Sequence, residues 1–286
     1  MITAAEEAYT RAKAYVPEHI VSLMVMISKG DPFLIEDHLG LAKANWLILV
    51  GYPLEGHYSS EKCGRITQQA VETFHPEYLW FIGPEIPPSL LYSCGERQTD
   101  QYYALDIEET QMKPSLQRAA DKAAAELIVK RGQHMTGEHE ALISELLKRE
   151  TLSARVKELY RAMPGYVGHS SSAWILDARD KRGKLSAFMV VELGANNFSA
   201  YILGSHSKKH YVPHASDLLF LEMINLTREQ GKNTINLGLG VNAGIRRFKE
   251  KWGGKPFLRY EFGEFRFTAR RKVSLIDALM RKLHYP

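Results

Sequence analysis

The residues best placed to do chemistry lie in one run, GIRRFKEKWGGKPF, at positions 244–257. On a helix beginning at Ala243, the side chains of Ile245, Phe248 and Trp252 share one face at spacings of three and four, and that face is expected to pack on a sheet. Lys249 falls about 40–60° from the stripe, at its margin, while Arg247 and Lys251 fall on the far side. An ammonium at the edge of a buried face can sit in a partly dry cleft; the bland alternative is a stem that covers the aromatics while its head reaches water. A second basic cluster, Lys208-Lys209-His210, comes shortly before a predicted helix at 216–230. Beside a helix N-terminus such side chains can hold a phosphate as point charges, or they form a solvated loop. Tyr201 and Tyr211 flank this loop and are expected to line a pocket. Glu192 ends a predicted strand at 185–193, where a buried carboxylate can take a proton from an amine nucleophile; otherwise it is an edge-facing surface residue. Glu222 is the other carboxylate to consider, but its polar stripe points to solvent, and Asp217 is expected to cap its helix.

Three further patterns carry little. His206, His210 and His214 would stack only on a helix, which Gly204 and Pro213 disfavour, so no metal site is expected there. GHSSS at 168–172 lacks the Gly-x-Ser-x-Gly spacing of a nucleophile elbow, and a strand follows it instead of preceding it. Gly238, Gly240 and Gly244 have the wrong spacing for a dinucleotide fingerprint. Their better use is to let the chain splay from its neighbouring strand and open a cleft.

The elements that must position these residues follow from periodicity and punctuation. Residues 3–29 read as helical around Pro17, with 33–35 and 46–51 as strands. Ser59 or Ser60 caps a helix to about 74; strands are expected at 78–82 and 101–107. Ala-rich PSLQRAADKAAAELIV, from Pro114, reads as one helix, followed by helices at 136–149 and 153–163, the last stopped by Pro164 and Gly165. Strands at 173–178, 185–193 and 198–203 lead to the helix at 216–230, capped by Ser216 or Asp217 and apolar on most sides, hence nearly enclosed. A strand at 234–237, a sharp glycine turn, a short helix capped by Asn242 and a strand at 257–262 follow; a last helix is expected at 274–283. The strand after each long helix runs into a glycine, FIG at 81–83 and NLG at 236–238. This suggests two related halves, 1–130 and 131–286, of which the first lacks the lysine.

Composition limits the rest. The 286 residues, 45% hydrophobic and 24% charged, suit a globular chain with a sizeable core. No apolar run approaches the roughly 18 residues that span a bilayer, and the first 30 residues do not read as a secretory signal. Cys63 and Cys94 are too few for a disulfide framework and fit a reducing cytoplasm. From Arg246 to Pro286 twelve Lys/Arg stand against four Asp/Glu. That excess suggests a polyanionic partner, namely a nucleic acid, a phosphorylated cofactor or an acidic membrane surface, or else a solvated basic face.

Two helices, three antiparallel strands, a central helix, a strand, a short helix and a last strand over about 136–263 resemble the GNAT acyltransferase fold. Phe248, Lys249, Trp252, Gly253 and Gly254 resemble the carboxyl-terminal motif of its Fem-type branch, the aminoacyl-tRNA-dependent transferases of cell-wall synthesis, with lysylphosphatidylglycerol synthases related to them. The resemblance implies an α/β (α+β) architecture of two GNAT-like halves. Each would hold a mixed, mostly antiparallel sheet flanked by helices, and the N-terminal half would be degenerate. It implies an acyl- or aminoacyl-transferase, with an amine or hydroxyl attacking an activated carbonyl and Lys249 offsetting the oxyanion, helped by backbone N–H groups near Val241 and Asn242. Glu192 lies where such enzymes often place a base. The donor would be an aminoacyl-tRNA, attracted by the basic segment, or an acyl-CoA bound through Lys208, Lys209, His210, Tyr211 and the helix start at Ser216, beside Phe248. The acceptor would be a small molecule or a lipid or peptidoglycan-type group. The sequence departs from ordinary GNAT enzymes in having no glycine between Gly204 and Gly231 and in Pro213, which removes a donor, so a standard coenzyme A cradle is not expected. The rival expectation is a non-catalytic GNAT-fold binding protein for a nucleotide-containing or anionic lipid ligand. Leu275, Leu279 and Leu283 would allow a peripheral membrane contact.

Overall fold

In the computed structural model, which describes residues 2–267, two helices, α1 (Ala4–Lys13) and α2 (Val21–Ser28), flank a 3₁₀ turn at Pro17–His19. A meander of β1 (Asp31–Ile35), β2 (His38–Lys43) and β3 (Trp46–Val50) follows, then α3 (Ser60–Phe74), β4 (Tyr78–Gly83), the short α4 (Pro88–Leu91) and the long β5 (Cys94–Asp106). Next come α5 (Pro114–Ala124), β6 (Leu127–Gly132), α6 (Gly137–Arg149) and α7 (Ala154–His169). A second meander, β7 (Ala173–Asp180), β8 (Leu185–Glu192) and β9 (Phe198–His206), leads to α8 (Ala215–Glu229), β10 (Thr234–Leu239), α9 (Ala243–Lys251) and β11 (Lys255–Arg266).

All eleven strands form one sheet, in the order β1-β2-β3-β4-β11-β5-β10-β9-β8-β7-β6. β3 runs parallel to β4 and β9 parallel to β10, and the other neighbours are antiparallel. The order is symmetric about the β11–β5 pair, with β6 as an additional edge strand. The final strand of each run is exchanged: β5 lies against β10, and β11 lies between β4 and β5. Two equivalent turns are tied the same way. Glu261 on β11 accepts from the Ile86 N–H after β4, and Asp100 on β5 accepts from the Val241 N–H after β10.

Burial follows the pleat. On β8, Ala187, Met189 and Val191 face α5 and α8, while Phe188 and Val190 face α2, α6 and α7. With both faces covered, β8 is buried at every position. α8 is nearly enclosed, as its apolar composition requires. α3 closes a separate core over β3 and β4.

Several elements differ from the sequence expectation. The helix from Pro114 stops at Ala124, because Leu127–Gly132 pairs with β7 and so gains a ladder that a helix would forfeit. That strand also spans the expected boundary at 130. β2 was not expected, and β5 starts at Cys94. α7 runs through Pro164 to His169, since Tyr166 and Val167 are buried beyond the proline and their packing offsets one lost hydrogen bond. α8 is preceded by His214 in the left-handed region, with no side-chain cap from Ser216 or Asp217. The expected helix at 274–283 lies outside the described residues.

The two parallel strand pairs differ where it matters. β3 and β4 pair from Trp46↔Tyr78 to Val50↔Ile82, and the Gly51 N–H continues to the Ile82 carbonyl at 2.6 Å. The Phe81 ring occupies the space beside Gly51 so tightly that a Cβ there would lie 2.3 Å from it. Gly51→Ala is therefore expected to destabilise the protein by about 1–3 kcal/mol, measured by urea unfolding. β9 and β10 pair only from Phe198↔Thr234 to Ala200↔Asn236. A bulge between Asn236 and Gly238, where Gly238 adopts φ +72°, then turns β10 toward β5 and the strands part.

Candidate active site

α9 begins where Asn242 Oδ1 accepts from the Ile245 N–H at 2.9 Å, the cap its sequence predicts. It ends at Gly253, φ +91°. At Gly254 a Cβ would lie 2.6 Å from Leu237 Cδ1 and 3.0 Å from the Lys249 carbonyl oxygen, so the double glycine lets the helix end sit directly on β10. The helix is rotated from the expected orientation. Ile245 is 36% exposed, whereas Phe248 and Trp252 pack on Phe220 of α8 at 5.5 and 4.7 Å between ring centroids. The cause is Asp217 on α8. Its carboxylate accepts from Trp252 Nε1 at 3.0 Å and from the Lys251 ammonium, and His214 Nδ1 lies 3.2 Å away. Lys251 thus faces α8, not the far side, and Asp217 holds α9 rather than capping α8.

With the aromatic face turned to α8, Lys249 points inward. It is 4% exposed, not marginal. Its Nζ donates to the Leu239 carbonyl at 2.5 Å and stands 5.7 Å from the Tyr103 ring centroid, within cation–π range. Gly238 leaves room here, since a Cβ on it would lie 3.9 Å from Nζ. Burial pushes the Lys249 pKa down to about 7, with Asp100 pulling the other way. The lysine therefore exchanges its proton near neutrality at the point where β9 and β10 part. Beside it opens a polar hollow of about 340 Å³ lined by residues including Asp100, Tyr103, Arg246, Arg259 and Tyr260.

The expected backbone donors are engaged. Asp100 Oδ2 accepts from the Val241 N–H at 2.8 Å, and Oδ1 from Gly240 and Gln101 at 3.2 and 2.7 Å. The Asn242 N–H donates to the Gly240 carbonyl at 2.6 Å. Val241 itself sits at φ +55°, an outlier for a β-branched residue, and is held there by this carboxylate.

The other expected residues are spread over the fold. Lys208 and Lys209 are exposed in the loop after β9, with the Lys208 N–H on Glu145 Oε1 at 2.9 Å. The His210 N–H is used by Ser207 Oγ, Tyr211 is 60% exposed and Ser216 is exposed. The adjacent electropositive helix end already faces the Asp217 carboxylate. Tyr201 packs partly buried against the core around α8. His206, His210 and His214 lie on a strand, a loop and a cap, and no metal-binding cluster occurs among the described residues. Glu192 is fully buried, not at a surface edge; Oε2 accepts from the Tyr166 hydroxyl and Oε1 from the Gly194 N–H at 2.6 Å. Both oxygens are thus engaged in ties, to α7 and to the β8–β9 turn. Lys232, with its pKa lowered to about 8 by burial, closes the same turn through the Leu193 and Phe198 carbonyls. Glu222 pairs with Arg131.

Sequence reasoning missed Asp100 and Tyr103. Neither belongs to a motif, and both reach the site only through the exchange that places β5 beside β10.

No family model matches the chain, and no curated protein matches it in sequence. Solved structures do. The C-terminal domain of a putative lysylphosphatidylglycerol synthetase from Agrobacterium fabrum superposes with a TM-score of 0.59 at 18% identity, covering 97% of each chain. FemX gives 0.60 at 10% identity, covering 99% of this chain and 98% of its own. A tandem GNAT protein from the clavulanic acid biosynthesis pathway gives 0.55 at 15% identity over 91% of both. The chain has the GNAT fold in the form shared by these proteins. Among the described residues no helix is long and apolar enough to cross a membrane.

Proposed function

We propose that this protein is an acyl- or aminoacyl-transferase acting at Lys249, in the part of the chain after residue 130. The observation that carries the reading is a buried lysine, its pKa near neutrality, aimed at the gap where β9 and β10 diverge. An amine or hydroxyl attacks an activated carbonyl held in that gap. The developing oxyanion is met by the Lys249 ammonium, worth far more in a dry cleft than in water. Because Asp100 already occupies the Gly240 and Val241 donors, the lysine carries this role without them. The names of the similar structures, a lysylphosphatidylglycerol synthetase, FemX and a tandem GNAT protein, support transfer chemistry of this class. The symmetric strand order supports two related halves, with the first closed by Phe81 and lacking the lysine.

For the donor we favour aminoacyl-tRNA over acyl-CoA, since the loop before α8 has no glycine and the helix end beyond it faces Asp217. The expected result is tRNA retention on a filter that falls steeply between 50 and 200 mM salt, with no rise in melting temperature on adding coenzyme A. A dose-dependent rise with coenzyme A reverses the assignment, and neither response argues against both donors. The second reading, a binding protein without turnover, draws on the Asp100 carboxylate sitting where a ligand anion would meet the α9 turn. It requires that a ligand bind while no donor–acceptor pair is turned over.

A further inference from the structure

β10 changes the way it faces partway along its length, and one buried side chain holds the change. The Ile107 N–H donates to the Asn233 carbonyl, so at the start of β10 the backbone groups of odd-numbered residues face β5 and those of even-numbered residues face β9. Past the bulge this parity is reversed, because it is the Gly240 N–H that donates to β5, at the Gln101 carbonyl. The side chains reverse as well. Ile235 and Leu237 lie in the core under α8, whereas Leu239 lies in the opposite core, with Tyr52 and Tyr102. One extra residue in the ladder, made possible by Gly238 at φ +72°, accounts for both reversals. In an unbroken strand the Gly238 N–H would face β9 and extend the parallel ladder, and the Leu239 carbonyl would face β5. With the bulge the ladder stops at Ala200↔Asn236, and the Leu239 carbonyl turns into the gap, where it accepts from Lys249.

Asn236 fixes this bulge. Its Oδ1 accepts from the Gly238 N–H at 2.9 Å, the pattern by which an asparagine side chain takes the N–H two residues on away from a sheet ladder. Its Nδ2 reaches the Tyr15 carbonyl at 3.4 Å, which ties the bulge to the segment after α1. Asn236 is 1% exposed and stands between Ala200 and Ala104, a position where an apolar side chain would be buried without desolvating an amide. The other end of the strand pair is fastened instead: Lys232 donates to the Phe198 carbonyl, beside the Phe198↔Thr234 pair. We propose that Asn236 is a positioning residue for Lys249: by taking the Gly238 N–H it holds the bulge, and the bulge sets both the gap and the carbonyl that anchors the ammonium. That the anchored lysine serves acyl transfer rests on the function proposed above; the part played by Asn236 in the bulge does not.

The test follows the Lys249 titration by NMR in the full chain with ¹³C-labelled lysine, its signal being identified by its absence from Lys249→Met. The wild-type signal is expected to titrate near 7, where burial places it. Asn236→Leu matches the side chain in size but offers no acceptor. It is expected to return the Gly238 N–H to β9, withdraw the Leu239 carbonyl and release the ammonium toward the polar hollow, so that the midpoint rises by about one pH unit or more toward 10.5. Asn236→Ala removes the acceptor without adding bulk and gives the same reading if the leucine variant does not fold. Asn236→Ser, whose hydroxyl accepts from the N–H two residues on, is expected to keep the midpoint near that of the wild type. Lys232, at the fastened end, is the internal control and is expected to stay near 8 throughout, since a general loosening would move both lysines. The assignment is overturned if the Lys249 midpoint is unchanged or lower in a folded leucine or alanine variant, if Lys232 moves with it, or if serine behaves as leucine does. No substrate enters the titration, so its failure leaves the transfer reading standing, and full activity of Lys249→Met leaves the bulge assignment standing.

Discussion

Lys249→Met is expected to reduce turnover at least about a hundredfold while the protein remains folded. Methionine matches the length and volume of the lysine stem but brings no positive charge to a developing oxyanion, and loss of a single such donor costs on the order of 10²–10³ in rate. Two pH dependences accompany it. If the ammonium is the active form, the wild-type rate falls as pH rises through about 7, where burial has placed the Lys249 pKa. Stability moves the other way. The unfolded chain keeps this proton up to about its ordinary value of 10.5, so between about 7 and 10.5 the unfolded state binds more protons and the native state gains stability as pH rises. That part of the slope is absent in the methionine variant. At neutral pH the variant should melt no lower than the wild type, because a charge no longer has to be desolvated. A Lys249→Met protein with full activity on a demonstrated substrate would sink the assignment.

Asp217→Ala is expected to destabilise the protein by about 2–3 kcal/mol in urea unfolding and to lower turnover as well. Its carboxylate is the tie between α8 and α9, accepting from Trp252 Nε1 and Lys251 together. Alanine leaves the buried indole N–H without a partner, a penalty of about 1–3 kcal/mol, and opens space beside Phe220. The Lys251 pair, being 40% exposed on the lysine side, adds little. Asp217→Asn keeps an oxygen for Trp252, so a smaller loss, about 1 kcal/mol, is expected. If alanine costs less than asparagine, the tie is not what orients α9 and Lys249.

What was legible in the sequence was local. Asn242, the helix from Ala243 and the Gly253–Gly254 stop were readable because caps, periodicity and glycine breaks act within a few residues. So was the enclosed helix from Ala215, since few polar side chains interrupt it. The rotation of α9 was not readable. Phe248 and Trp252 had to pack somewhere, but only the positions of Phe220 and Asp217 decide that they pack on α8 and so send Lys249 inward. ELIV at 126–129 continues a helical pattern and becomes mainly strand because β7 offers it a ladder. Asp100 carries no pattern of its own and matters for the turn that stands opposite it. Much of the basic excess from Arg246 onward falls beyond residue 267, outside the described residues.

The exchanged strands also set an order of events during synthesis. β4 and β5 are made early, yet the strand that lies between them, β11, is the last of the described elements to emerge from the ribosome. Until Lys255–Arg266 is made, β4 has an unpaired edge beside Leu79 and Phe81, and β5 has only β10 to pair with, its other edge open. An open, apolar strand edge is a template for pairing with other chains. The first half of the sheet must therefore wait, exposed, for the last strand to close it.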